Sequence, residues 1–147
     1  MDYNKLITPV QLIILNDKGN DGKLEDLLPD GEIRAGKGPR KPKGWVGINC
    51  FTIHISSNPR DPNTKAHNGT MRVNHYCPNY PDGNANVELM GPVSARLVEL
   101  LDDWRPEIDS YEILNWVVEE PLGPLFDSNE PKEHYSSIAV SFFVRKL

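Results

Sequence analysis

The chain is poor in the features that reveal a function at sight. It holds two cysteines in 147 residues. At most one disulfide can form, so the chain is no disulfide scaffold and a reduced compartment is the default. Its longest unbroken apolar run, Leu12-Ile13-Ile14-Leu15, falls far short of the roughly 20 residues that cross a bilayer. No small-residue cleavage site follows that run, so neither a membrane span nor a signal peptide is expected. Net positive charge is lacking too. Against 21 Asp+Glu stand 16 Lys+Arg, a formal charge of -5, which argues against the extended basic footprint of a general duplex binder. There is no Gly-x-Ser-x-Gly elbow, no cysteine in an active-site signature, no internal repeat and no low-complexity tract.

Proline and glycine, by contrast, are plentiful, at 13 and 11 residues. The length suits one domain spanning 1–147, large enough for a real core. Charge is divided unevenly: residues 1–74 sum to +3 and residues 75–147 to -8. Subunits that stack head to tail can use such polarity to choose an orientation.

Periodicity outlines the elements. Thr8 as N-cap and Pro9 at N1 open a short buried helix to Leu15, and Leu24 to Leu28 allows one further turn before Pro29. Residues 29–48 are Gly, Pro and basic side chains with little to bury, and read as a flexible loop or arm. Cys50 to Ser56 alternates, with Phe51, Ile53 and Ile55 on one face; Met71 to Cys77 alternates likewise. Residues 58–70 are turn formers that would join these two strands. Met90, Val93, Leu97, Leu100 and Trp104 form one apolar helical stripe, with Pro92 expected at N1. Tyr111 to Glu119 reads as a strand offering Ile113, Val117 and Val118 for burial. Residues 121–133 read as a loop, and Tyr135 to Val144 as the final strand. The expected fold is α+β: an antiparallel sheet of about four strands, packed by an N-terminal helix and one central amphipathic helix.

Several motifs invite a function. Gly31 to Gly38 has the Gly and Lys spacing of a phosphate-binding loop, but Gly38 stands where the magnesium hydroxyl belongs, and Pro39 and Pro42 forbid the helix that must follow. Asp17 to Gly22 imitates the start of a calcium loop; Gly19 replaces a ligand and Leu28 stands in place of the closing Glu. Cys50, His54, His75 and Cys77 are zinc-ligand types on two strands. Strand parity lets all four meet only if those strands are apolar on opposite sides. Acid–base or nucleophilic chemistry would need a supported histidine, and His54, His67, His75 and His134 have no local carboxylate pattern to orient them. No catalytic residue, cofactor or metal set is therefore assigned. Arg34, Lys37, Arg40, Lys41 and Lys43 are the candidates for docking on an acidic neighbour.

The order helix, strand, strand, helix, strand, strand, together with the ending Glu133-His134-Tyr135-Ser136-Ser137-Ile138-Ala139-Val140-Ser141-Phe142-Phe143-Val144-Arg145, resembles the tail-terminator and head–tail joining proteins of long-tailed bacteriophages. The loops at 29–48 and 78–86 are longer than that family's pattern. The resemblance implies a structural virion protein assembled in the host cytoplasm. It would form a hexameric ring that ends the tail tube, joins it to neck or connector proteins, and lets DNA pass without sequence-specific binding. It implies no catalysis, no cofactor and no membrane. On this reading 29–48 and 57–70 are interface or lumen loops. The competing class is a small cytosolic α+β binding module or metal-dependent enzyme with a Cys/His site.

Overall fold

The computed structural model describes residues 1–57 and 65–147. The elements run α1 (Asn4–Leu15), α2 (Leu24–Leu27), β1 (Ala35–Lys37), a 3-10 turn (Lys43–Trp45), β2 (Cys50–Ser57), β3 (Ala66–Pro78), α3 (Val87–Asp102), β4 (Tyr111–Val118), β5 (Leu122–Phe126) and β6 (Glu133–Lys146). Six strands form one sheet in the order β1-β2-β3-β6-β4, with β5 also paired to β6. The long β6 therefore carries two partners on its far edge, β5 along its first part and β4 along its second. The fold class is α+β. Two details differ from the sequence expectation: six strands rather than about four, and a parallel β1–β2 pair at one edge of an otherwise antiparallel sheet. β1 is three residues of Ala-Gly-Lys, and β5 contains Gly and Pro, so neither carries a strand pattern of its own. Both exist because a longer neighbour offers a free ladder edge.

α1 lies over β1 and β2, and α3 over β6, β3 and β4. Both helices start earlier than their prolines suggest. Pro9 and Pro92 each occupy the sixth helical position rather than the first. A proline there forfeits its own hydrogen bond, a cost of about 3 kcal/mol. The extra turn buries Leu6 and Ile7 under α1 and Met90 under α3, and each such side chain contributes roughly 1.5–3 kcal/mol. Asn86 caps α3, its side-chain oxygen accepting from the Leu89 N–H at 3.2 Å.

The core lies between helices and sheet. Register places Ile53 beside Val73 and Val73 beside Ile138, so the expected alternation in β2, β3 and β6 points one apolar face at Val10, Ile14, Val93, Leu97 and Leu101, all buried. In β4 the alternation slips. A register shift between Ile113 and Asn115 inserts one extra residue, as a bulge does. After it Trp116 turns inward, its indole N–H donating to the Leu101 carbonyl at 3.1 Å. Val117, expected inside, is left 46% exposed. Of the turn-forming run 58–70, residues 58–64 lie outside the described residues and 66–70 extend β3. No helix among the described residues is long and apolar enough to cross a membrane.

Candidate subunit-contact edges

The basic segment is built into the sheet. Within 29–48, residues 35–37 form β1 against β2, and residues 38–49 then cross the face opposite the helices before entering β2. Trp45 closes over β1: a Cβ added to Gly36 would lie 3.1 Å from its ring, which is why a glycine suits that position. Lys41 forms an ion pair with Glu133, with only 6% and 2% of the two side chains exposed. The same ammonium stands 4.9 Å from the centre of the Tyr76 ring. Gly47 N–H adds a 3.4 Å bond to the other Glu133 oxygen.

The five basic candidates therefore separate. Lys41 is spent inside the fold. Arg34 bonds Asp30 at 2.9 Å and Glu32 at 2.6 Å. Lys37 lies exposed on β1 and donates to Thr8 Oγ1 at 2.6 Å. Arg40 and Lys43 are exposed, beside Asp127, Asn129 and Glu130 at the end of β5. The Gly/Lys spacing of 31–38 falls partly within β1 itself, so it is no phosphate-cradling loop. The two Asp17 oxygens of the calcium-like run are engaged by Arg96, at 2.7 and 2.9 Å, and by the Leu24 N–H at 2.8 Å.

The cysteines and histidines of β2 and β3 do not converge. Phe51 pairs with His75 and Cys50 with Tyr76, so His75 and Cys77 belong to the helix-covered face and Cys50 and His54 to the other. Both thiols are buried, and burial pushes each up to about 11; that disfavours the thiolate a metal or an electrophile requires. His75 stacks on Phe51 with ring centroids 5.2 Å apart and meets Asn49 Oδ1 at 3.0 Å through Nε2. Its burial pulls the ring down to about 3, so it is neutral at physiological pH. Among the described residues no three His, Cys, Asp or Glu side chains gather as a metal set.

What the sequence reading missed lies at the opposite edge. Leu114, Val117, Leu122 and Phe126 are 42%, 46%, 58% and 58% exposed, all on β4 and β5. Around them the chain is acidic: residues 103–133 hold nine Asp or Glu against two Lys or Arg. Beside β5, a cavity of about 460 Å3 opens between it and the first half of α3, lined by Val87, Met90, Ser94, Val98, Leu122 and Ser136 among others. β5 hugs β6 there, since a Cβ on Gly123 would sit 3.0 Å from Ser136 Oγ and 3.2 Å from the Tyr135 carbonyl. The one signal in the sequence was the concentration of acidic residues in the second half; the outward turn of Val117 depends on the bulge. The sequence matches no family model and none of the curated proteins.

Proposed function

We propose that this chain is a structural ring subunit at the head–tail junction of a tailed bacteriophage, ending the tail tube and joining it to the neck. The observation that carries the reading is the pair of unlike sheet edges. One edge is short, β1, and presents Lys37; the other, β4 and β5, presents four exposed apolar side chains in an acidic stretch. Leu122 lies in the hollow beside α3 and Leu114 in one on the other face of the sheet, so apolar surface flanks this edge on both sides, and an unpaired strand edge is itself a ready contact. Because the two edges differ, a contact between them is head to tail, and it closes into a ring when the rotation per subunit fits. The order α1, β2, β3, α3, β4, β6 is the one on which the resemblance to that family rests. A binding module or enzyme built on Cys50, His54, His75 and Cys77 has no comparable support, since those side chains divide between the two faces.

Native mass spectrometry of the purified protein at tens of micromolar, reading subunit number and bound metal together, tests the proposal. A metal-free closed ring, with the hexamer expected, supports it. A monomer that carries zinc, or that remains single at every concentration and fails to cap tail tubes, overturns it.

A further inference from the structure

We infer that the ring contact is made by the outer corner of α1 and β1 of one copy seated in the groove between α3 and β5 of the next. The inference rests on the ring reading above and names the surfaces that meet. The groove is apolar and about 460 Å3 in volume, open at a rim that includes Val87, 53% exposed, and Leu122, 58% exposed. Glu120 also lines the groove and is exposed at its rim.

The opposite edge supplies the complement. On α1, Leu12 is 49% exposed and lies one turn after Thr8, on the same stripe of the helix. Thr8 Oγ1 holds the ammonium of Lys37, which is itself exposed on β1. An apolar knob and a cation thus stand together at one edge, and an apolar groove and an anion at the other. α1 covers β1 and β2 while α3 covers β6, β3 and β4, so knob and groove lie at opposite ends of the same helical layer. A second copy displaced along the layer and turned by the ring's rotation brings them together, with Lys37 facing Glu120. Opposite charges at such a rim fix register and speed association more than they add affinity. The affinity comes from Leu12 and the apolar walls; a stable contact buries about 800 Å2 on each partner, so neighbouring positions on α1 and β5 share it.

The test is a charge exchange in the full chain. Lys37→Glu and Glu120→Lys are made singly and together, and ring formation is followed by native mass spectrometry against protein concentration. Each single reversal is expected to raise the concentration needed for half assembly about tenfold, and the double variant to recover most of that loss. Leu12→Asp is expected to abolish assembly. Circular dichroism and thermal melting close to the parent's show that each variant folds, since all three positions are exposed. If the parent forms rings and these variants assemble equally well, or the double variant assembles no better than the singles, this contact is wrong and the ring reading stands. If the parent remains monomeric and fails to cap tail tubes, both fall together.

Discussion

The two faces of the sheet are each closed with the help of a buried ion pair, and the pairs have different work to do. On the helix-covered face Arg96 of α3 grips Asp17, just past the end of α1, and the Asp17 carboxylate also receives the Leu24 N–H that begins α2. That pair sits at the rim of a core already sealed by Leu6, Val10, Val93 and Leu97, so apolar burial shares the load. On the other face Lys41 and Glu133 hold down a crossover of Gly, Pro and basic residues with little apolar surface of its own besides Trp45. There the ion pair and one indole are most of what binds the segment to the sheet. Basic residues in a Gly/Pro context can therefore be internal fasteners as readily as docking groups, and burial tells them apart.

The largest expected effect follows from that difference. Glu133→Ala strands the Lys41 ammonium inside the fold, and leaving one buried charge unpaired costs about 3–5 kcal/mol. Urea unfolding measures it, and a loss under about 1 kcal/mol would show that water reaches the crossover and that the two faces are closed in much the same way. Replacing both members, Lys41→Met with Glu133→Leu, is expected to restore much of the stability, because no charge is then left without its partner. Deleting residues 34–43 as a block would remove β1 as well as this pair, so point changes separate folding from assembly where the deletion cannot.

Asp17→Ala comes next, at about 1.5–3 kcal/mol for lost hydrogen bonds to a charged group, less than Glu133→Ala because the helical core remains closed. The same carboxylate makes stability depend on pH. Burial by itself would raise the Asp17 carboxyl, but the Arg96 hydrogen bonds, the Leu24 N–H and the guanidinium charge outweigh it and hold the group below its ordinary value of 3.8. A lowered value in the folded state means the stabilisation is complete above about pH 4 and disappears as pH falls through the folded value. Thermal melts of the parent and Asp17→Ala should therefore converge on acidification below pH 4 and stay separate above it. Parallel curves throughout would show that the group is not linked to folding.

The smallest effect on stability is expected at the edge. Leu122→Ser changes a residue that is 58% exposed, and such a change stays within about 0.5 kcal/mol. Its effect should appear in assembly instead, as a shift of half-assembly to higher concentration in sedimentation velocity. A clear loss of stability in the monomer would place Leu122 in the fold rather than in a contact.

The amino-acid sequence by itself determined the α+β class, the four main strands and the long helix. Each of these is written in a local period: two in Phe51-Ile53 and Ile138-Val140-Phe142, three to four in Met90-Val93-Leu97-Leu100. It also carried the acidity of the second half. The tertiary structure alone decided the rest. β1 and β5 are strands only because a neighbour supplies a ladder. Pro9 and Pro92 lie inside their helices because burial of Leu6, Ile7 and Met90 outweighs one lost hydrogen bond. Val117 faces out because one inserted residue in β4 reverses the alternation. Lys37 and Lys41 stand in the same basic Gly/Pro stretch; Glu133, 92 residues beyond Lys41, takes that one inside and leaves Lys37 on the surface. Period and composition are local and can be read along the chain, whereas the pairing of distant charges and strand edges exists only once the chain has folded.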